Sequence, residues 1–252
     1  MSDFIDKIIN EGVRKSEDGF EFDFNQDRPG DILSLKFRFR KNPIKKIGET
    51  SYCNYYAYSL EKSENSGELM KAIKLFDSSI GGNDLMMFIN KAVMGFTKNF
   101  GGMSFDTIVT PESSSTALSE LAKQLQSKVG STNIFPGAFV KTATMDIKFD
   151  EQKVATMPEK NRKQFMGIYN KVINSGKPFK IKEIYPPYRK FFKDFIVFNN
   201  QNDRKLYNAV EGQSVILIDD YRTTGTTLKV MLDHLIEAGA KMVVVFVLLK
   251  ID

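Results

Sequence analysis

The sequence lacks the residues on which several classes of protein depend. Of its 252 residues, one is cysteine, one is histidine and none is tryptophan. A single cysteine, Cys53, excludes an intrachain disulfide and a cysteine zinc cluster. Around the single histidine, His234, the sequence shows no Ser/His/Asp or Cys/His constellation for nucleophilic catalysis. It falls in a predicted helix, where a lone histidine is typical of a surface or packing position.

Long hydrophobic runs are also missing. No apolar stretch approaches the roughly eighteen residues of a membrane-spanning helix, and the start of the chain has no signal-peptide pattern. We therefore expect a cytoplasmic protein that makes no membrane contact. Hydrophobic residues make up 42% of the chain and its net charge is +5. These values suit an ordinary core and an anionic small substrate such as a polyphosphate, and they also permit weak nucleic-acid contact.

The most informative stretch is residues 214–227, SVILIDDYRTTGTT. Its short continuous apolar run predicts a buried parallel strand. Asp219 and Asp220 follow at the carboxyl end of that strand, which is where open α/β sheets bind their ligands. Beyond Gly225 the apolar residues recur at helical spacing as far as Gly239, a favourable residue for ending a helix. The stretch thus predicts a strand, an acidic pair, a hydroxyl-rich turn and a helix.

This turn has the chemistry of a site for a sugar phosphate. Gly225 tolerates a positive φ and lets the backbone approach a ligand closely. The N–H groups at a helix N-terminus favour an anion, and four threonine hydroxyls around Gly225 add donors. The acidic pair suits vicinal hydroxyls or a hydrated Mg²⁺ ion. One end of the motif therefore suits a phosphate, and the other suits a diol or a metal.

Residues 215–227 resemble the phosphoribosyl pyrophosphate (PRPP) signature of type I phosphoribosyltransferases: an apolar strand, two acids, two variable residues, then Thr-Thr-Gly-Thr-Thr. The resemblance implies an α/β fold, a doubly wound and mostly parallel sheet with an N-terminal α+β subdomain. It implies that Asp219 and Asp220 hold the ribose 2′ and 3′ hydroxyls, with Mg²⁺ carried by PRPP near both. Without the resemblance, the alternative is that residues 215–227 form a capped turn in a protein that binds no phosphate. The implied cradle for the 5′-phosphate is Thr223, Thr224, Gly225, Thr226 and Thr227.

A second strand–loop–helix unit precedes the signature. The apolar run at 105–110 predicts a strand, and helical spacing begins at Leu118 after a small polar loop. A serine-capped helix would by itself explain that loop. The strand Asn133–Lys141 is predicted next, and Lys141 either reaches the pyrophosphate, as the family suggests, or is a solvated strand end. The resemblance places four residues of the polar loop beside the pyrophosphate and its Mg²⁺: Glu112, Ser113, Ser114 and Ser115.

Residues 1–100 are predicted to form an N-terminal α+β subdomain, a candidate hood, and residues 101–252 the transferase-like core. In the N-terminal part we expect a helix opening at Asp3, a turn-rich stretch at 19–30 and an alternating, basic strand at 33–40. Strands at 52–60 and 70–76 are expected on either side of a turn at 63–67. A helix is expected at 85–100, with Asn83 or Asp84 as its cap.

The core is interrupted at 142–193 by a strongly basic insertion. Its spacing predicts a helix at 160–174, and a Pro-Pro pair at 186–187 breaks any helix there. The family usually has a mobile loop here that closes over the reacting sugar. This segment is longer, so a small insertion, an oligomer contact and a nucleic-acid patch are alternatives. Strands at 195–198 and 242–249 complete the core. Little chain follows the last strand, so we expect the acceptor pocket to come from 1–100, from 142–193 or from a second subunit.

The function implied by the resemblance is transfer of a 5-phosphoribosyl group from PRPP to a nitrogenous acceptor, with release of pyrophosphate. Oxopurine members have an aspartate four positions after the first acid, where this chain has Thr223, so an orotate-like acceptor is favoured. We expect Mg²⁺, PRPP and a nucleobase-like acceptor as ligands and a homodimer as the assembly. Nucleic acid is not favoured as a partner. The alternative is a catalytically inactive regulator that senses PRPP or a nucleotide and binds nucleic acid or protein.

Overall fold

A computed structural model describes residues 10–16, 19–23, 32–37, 42–60, 66–75, 82–130, 133–199, 203–222 and 225–251, with the backbone alone between 10 and 37. The predicted helix at Asp3 lies outside these residues. The strands are β1 Asn10–Ser16, β2 Gly19–Asp23, β3 Ile32–Phe37, β4 Lys45–Ile47, β5 Thr50–Leu60, β6 Thr107–Pro111, β7 Asn133–Lys141, β8 Lys148–Phe149, β9 Phe192–Lys193, β10 Ile196–Phe198, β11 Ser214–Arg222 and β12 Met242–Ile251. The helices are α1 Ser66–Leu75, α2 Gly82–Phe100, α3 Thr116–Val129, α4 Glu151–Ala155, α5 Glu159–Ile173, α6 Pro186–Arg189, α7 Asp203–Val210 and α8 Thr226–Glu237, with 3₁₀ turns at Thr144–Asp146 and Ile181–Glu183.

Ten of the described strands form one sheet, in the order β10-β7-β6-β11-β12-β5-β3-β1-β2, with β4 also paired to β5. The middle five strands, from β7 to β5, are parallel. The strands at both ends of the order, and β4, join antiparallel. The structure confirms the predicted α/β fold, with the parallel strands at its centre.

The central strand β11 is buried on both faces as far as the acidic pair. Ile216 and Ile218 belong to the core that α1, α2 and α3 cover, whereas Val215 and Leu217 belong to the core under α7 and α8. Because neither face meets water, the strand is apolar without alternation, as the sequence predicts. The first polar side chain after Ser214 is Asp219, at the point where the strand reaches the edge of both layers.

The prediction of a strand at 70–76 is wrong, because Ser66–Leu75 is helix α1. Leu69, Ala72 and Ile73 are its buried residues, and their spacing of three and four is that of a helix. A short apolar run is ambiguous between the two periods, and packing against the sheet decides between them. The error matters for function, since α1 faces the site described below.

The other N-terminal predictions have mixed outcomes. The strand at 52–60 is confirmed as β5, and the strand at 33–40 is confirmed over Ile32–Phe37. The turn-rich stretch at 19–30 is wrong in part, since Gly19–Asp23 is a strand paired with β1. Helix α2 begins at Gly82, so the proposed caps lie within its first turn. The expected turn at 63–67 falls largely outside the described residues.

Residues 142–193 form a folded insertion on the side of the sheet that α8 covers. The predicted helix at 160–174 is confirmed as α5, and β8 and β9 pair to close the insertion at its base. Its core is aromatic: Phe165 is fully buried, and its ring lies 5.4 Å from Phe192 and 5.5 Å from Phe149, centre to centre. Edge-to-face contacts of this kind add to the hydrophobic gain from burying the rings.

Residues 50–100 share both the sheet and a core with the rest of the chain. β5 pairs in parallel with β12 from Ser51 to Leu60, and α1 and α2 contribute to the same hydrophobic core as α3. Over the described ranges the packing marks no boundary at residue 100. The division into residues 1–100 and 101–252 stays a prediction.

Candidate active site

Three parallel strands end at one edge of the sheet, and the segments that follow them surround a cavity of about 530 Å³. β11 contributes its acidic pair, β6 leads into the polar loop at 112–115, and β7 ends at Lys141. The first turn of α8, helix α1 and the insertion form the remaining walls. The cavity brings together eight of the residues predicted from the sequence: Glu112, Ser113, Lys141, Asp219, Asp220, Gly225, Thr226 and Thr227.

Two of the predicted residues that the structure describes, Ser114 and Ser115, are not among those that line the cavity. Ser115 is buried at 2% exposure and caps α3, where its hydroxyl oxygen accepts a hydrogen bond from Leu118 N at 3.2 Å. The structure thus shows the serine-capped helix that the sequence suggested as the simpler explanation. Ser114 is exposed beside the cavity. Thr223 and Thr224 lie outside the described residues.

Backbone amides orient both carboxylates of the acidic pair. Asp219 Oδ1 accepts from Asp220 N at 3.0 Å, and Asp220 Oδ1 accepts from Tyr221 N at 2.9 Å. Asp220 is 7% exposed, and its Oδ2 accepts no hydrogen bond from any described residue. Lys74 Nζ lies 3.7 Å from that oxygen, within ion-pair range but too far for a hydrogen bond. A buried carboxylate oxygen that accepts no hydrogen bond suits a hydrogen-bond donor or a cation supplied by a ligand.

The pair is electrostatically strained. Burial, and then the charge of Asp220, raise the pKa of Asp219 well above its usual value of 3.8, while Lys74 opposes the shift. Burial and the two carboxylates also raise the pKa of Tyr221. Two adjacent carboxylates away from water disfavour the doubly ionised state. A diol or a metal ion would relieve this repulsion, and perturbed carboxylates in a cleft are typical of functional sites.

We expect the ligand-free protein to lose stability as pH rises through the pKa of Asp219. A folded-state pKa above the unfolded value means that this contribution is complete below the unfolded pKa and is lost progressively as pH rises from there through the folded pKa. Asp219→Asn removes the titration and should raise the thermal midpoint at neutral pH, by about 2–4 °C per kcal/mol of relieved repulsion. Melting curves of both proteins from about pH 5 to 8 measure the difference. A difference in thermal midpoint between wild type and Asp219→Asn that does not increase with pH would contradict the raised pKa of Asp219 as its cause.

The N-terminus of α8 opens into the cavity. Gly225 occupies the cap position with φ 76° and ψ 11°, a left-handed conformation that favours glycine. Thr226 and Thr227 follow in the first turn and line the cavity. The N–H groups of a first helical turn have no intrahelical acceptors, and the helix dipole adds positive potential. This end of the cavity therefore suits an anion.

Arg222 supports the turn from the other side. Its guanidinium carbon lies 5.2 Å from the ring centre of Tyr56, within cation–π range, and burial lowers the pKa of Arg222. A Cβ built at Gly225 would lie 2.5 Å from Arg222 Nε. The positive φ favours glycine at 225, and an added Cβ would also force the Arg222 side chain to move.

The sequence identified one of the site's cations, Lys141, but not Lys74, Lys180, Arg189 or Arg222. Arg222 falls at a variable position of the signature and gives no signal there. Lys74 lies in the stretch predicted as a strand, and only the helical course of α1 brings it to Asp220. Helical periodicity through Leu69, Ala72 and Ile73 was the available signal for α1.

Comparison with known protein families gives an independent assignment. The model of the phosphoribosyl transferase domain matches residues 86–250, well over half of the chain. The chain belongs to the type I phosphoribosyltransferase family. A search of curated proteins gave no match.

The matched range includes the acidic pair, the polar loop and Lys141, whereas Lys74 lies outside it. In the part of the chain that the structure describes, no helix has the length and apolar character needed to cross a membrane. Within the same part, no three His, Cys, Asp or Glu side chains are grouped as a metal site. The homodimer and the cytoplasmic location stay predictions.

Proposed function

We propose that the protein transfers a 5-phosphoribosyl group from PRPP to a nitrogenous acceptor and releases pyrophosphate. One observation carries the proposal: a single cavity contains both a carboxylate pair, Asp220 buried and Asp219 half-buried, and the open N-terminus of a helix that follows it closely in the chain. The first feature suits the ribose diol and the second suits its 5′-phosphate. The family assignment supports phosphoribosyl transfer in general.

The ribose phosphate would bind across this turn. The 2′ and 3′ hydroxyls donate to Asp219 and Asp220, and Asp220 Oδ2 is the oxygen with no hydrogen-bond donor among the described residues. The 5′-phosphate accepts from the first N–H groups of α8 and from the hydroxyls of Thr226 and Thr227. Thr223 and Thr224 complete the proposed cradle by their place in the signature.

The pyrophosphate would lie toward the loop after β6 and the end of β7. Glu112 and Ser113 line the cavity there, and Lys141 adds a positive charge. Glu112 N donates to Phe139 O at 2.7 Å, which fixes the loop to β7. Ser114 and Ser115 belong to the same proposed loop, although the Ser115 hydroxyl is already used as a helix cap.

The residues present fit a magnesium ion that arrives with PRPP. Mg²⁺ is usually held by one or two carboxylates together with substrate phosphates and water. Asp219 and Asp220 supply two carboxylates, and the described residues hold no larger acidic cluster that would bind the ion alone. When bound, Mg²⁺ neutralises charge on the pyrophosphate as it departs.

The reaction needs positioning more than a reactive side chain. The bond from ribose C1 to the pyrophosphate oxygen breaks, a bond from C1 to the acceptor nitrogen forms, and the acceptor releases a proton. Carboxylates that hold the diol fix the sugar in place, and the cations of the cavity stabilise the leaving group. Thr223 replaces the aspartate of oxopurine members, so we propose an orotate-like acceptor in preference to hypoxanthine or guanine.

Pyrophosphate release measures this function directly. The protein is incubated with PRPP and Mg²⁺ and with each of a panel of free bases, including orotate, uracil, adenine and hypoxanthine. We expect release that depends on one acceptor class and on Mg²⁺. Binding of PRPP without release for any acceptor would favour a PRPP-sensing regulator instead. Failure to bind PRPP at all would remove the basis of both functions.

Lys74 is expected to set the acid limb of the activity profile. Because Lys74 lowers the pKa of Asp219, Lys74→Met should raise that pKa further and shift the acid limb of kcat/KM to higher pH. Lys71→Met is the matched control, since Lys71 is exposed on the same helix. The pH profiles of kcat/KM are compared for wild type and both methionine variants. Lys74→Arg keeps the positive charge, so its acid limb should stay at the wild-type pH. Equal shifts in both methionine variants would contradict a role at the site.

A further inference from the structure

We propose that residues 179–189 of the insertion bind the acceptor, and that the acceptor is a flat ring carrying an anionic group such as a carboxylate. This inference rests on the proposed function, because it assigns the part of the same cavity that PRPP does not fill. Four side chains of the segment line that cavity: Phe179, Lys180, Ile181 and Arg189. Neither the family assignment nor the signature gives these residues a role.

The lining of the cavity has two chemical characters. The strand–turn–helix unit offers carboxylates, threonines and a glycine, which suit a ribose phosphate. The insertion and the neighbouring strands β7 and β10 contribute a largely apolar group, namely Phe139, Phe179, Ile181, Phe195 and Ile196. A sugar phosphate is polar over its whole surface and gains little from these side chains. A planar heteroaromatic ring gains from burial against them, at about 25 cal/mol per Å² of apolar surface.

The apolar wall is firmly held. Phe179 is 9% exposed, and its ring centre lies 5.3 Å from that of Phe192 and 5.6 Å from that of Phe195. Phe192 in turn packs against the fully buried Phe165 of helix α5. A wall built on a packed aromatic core has a fixed shape, so it can select an acceptor by the outline of its ring.

The charge of this wall favours an anion. With Lys141 assigned to the pyrophosphate, the cations of this wall are Lys180 and Arg189 of the insertion, and Lys180 also pairs with Glu183 at 3.3 Å. Arg189 Nε donates to Ile184 O at 2.7 Å, which orients its guanidinium group. Beyond the pair at 219–220, the described lining residues include one acid, Glu112. A guanidinium group can bind a carboxylate through two parallel hydrogen bonds, so a carboxylated ring suits this wall better than a neutral one.

The experiment compares acceptors that differ by one carboxylate. Orotate is tested against uracil, and nicotinate against nicotinamide, in wild type and in Arg189→Gln. We expect wild type to prefer the carboxylated member of at least one pair by about tenfold or more. Arg189→Gln should raise the KM of that acceptor by about 10–100-fold and change the KM of PRPP by less than about twofold. Arg189→Lys should fall between wild type and the glutamine variant.

A matched control and distinct outcomes separate the two proposals. Arg162→Gln removes an exposed arginine from α5, away from the cavity, and should leave both KM values unchanged. No pyrophosphate release by wild type with any acceptor would overturn the proposed function itself. If wild type releases pyrophosphate but Arg189→Gln leaves the acceptor KM unchanged, the role of residues 179–189 would be overturned and the proposed function would stand. The same holds if Arg189→Gln raises the KM of the acceptor and the KM of PRPP equally. A wild-type preference for the neutral member of both pairs would overturn the anionic acceptor.

Discussion

Replacing Asp219 and Asp220 together by asparagine is expected to lower kcat/KM for PRPP by about 10²–10⁴-fold. Each carboxylate would accept a hydrogen bond from one ribose hydroxyl, and a bond to a charged group contributes about 1.5–3 kcal/mol. Two such bonds correspond to the stated range, since about 1.4 kcal/mol is a factor of ten in rate. The buried, unsatisfied Asp220 Oδ2 makes this oxygen the stronger contributor. The measurement is the initial rate of pyrophosphate release at PRPP concentrations below KM.

Misfolding can be distinguished from loss of binding in this experiment. Removal of two adjacent carboxylates relieves repulsion, so the double variant should melt no lower than wild type at neutral pH. Asp233→Asn is the control, because Asp233 pairs with Lys229 on the exposed side of α8, with 2.6 Å between Oδ2 and Nζ. It should retain wild-type activity within about twofold, as surface ion pairs contribute little. A folded double variant with near wild-type kcat/KM would remove the acidic pair from the site.

Gly225→Ala is expected to raise the KM for PRPP by about tenfold or more. A left-handed φ of 76° costs a residue with a Cβ about 1–2 kcal/mol. The new methyl group would also meet Arg222 Nε at 2.5 Å and displace the guanidinium from Tyr56. Both effects act on the turn that presents the α8 N-terminus to the phosphate. Steady-state kinetics with PRPP as the varied substrate measures the change.

Gly239→Ala is the control that separates the two effects. Gly239 also has a positive φ, 81°, but at the far end of α8, and the nearest atom to an added Cβ is Glu211 Cγ at 3.5 Å. Both alanine variants should lose similar stability from backbone strain, whereas the KM for PRPP should change only for Gly225→Ala. Equal effects of the two variants on KM would show that the loss is one of general stability. If the clash with the guanidinium lowers the affinity, Arg222→Ala combined with Gly225→Ala should recover part of the lost affinity.

The sequence predicts the sugar-phosphate side of the site because that side is local. Asp219, Gly225 and Thr227 follow one another along a strand, a turn and a helix, so their proximity does not depend on distant packing. The apolar run of β11 identifies a strand buried on both faces, and such a strand can end in a ligand site at only one edge of the sheet. Glu112 and Lys141 follow from the same rule applied to β6 and β7.

The other side of the site depends on packing between distant segments. Lys74 reaches Asp220 only because α1 is a helix. In the sequence alone the short apolar run around Lys74 fits a strand equally well, and only the burial of Leu69 and Ile73 in the structure decides for a helix. Phe179 and Arg189 join the cavity through the aromatic core of the insertion, which no sequence period reveals. The composition of 142–193 indicates only a basic segment. Its many lysines dominate that composition, although the phenylalanines form the core of the insertion.

Calorimetric titration of PRPP with Mg²⁺ tests the central claim most directly, because it needs neither the acceptor nor turnover. We predict saturable binding of one PRPP per chain to wild type and to Asp233→Asn. The same titration should give no measurable binding to the Asp219→Asn/Asp220→Asn variant. Absence of binding to the folded wild-type protein, or equal affinity in the double variant, would contradict a PRPP site between the acidic pair and helix α8.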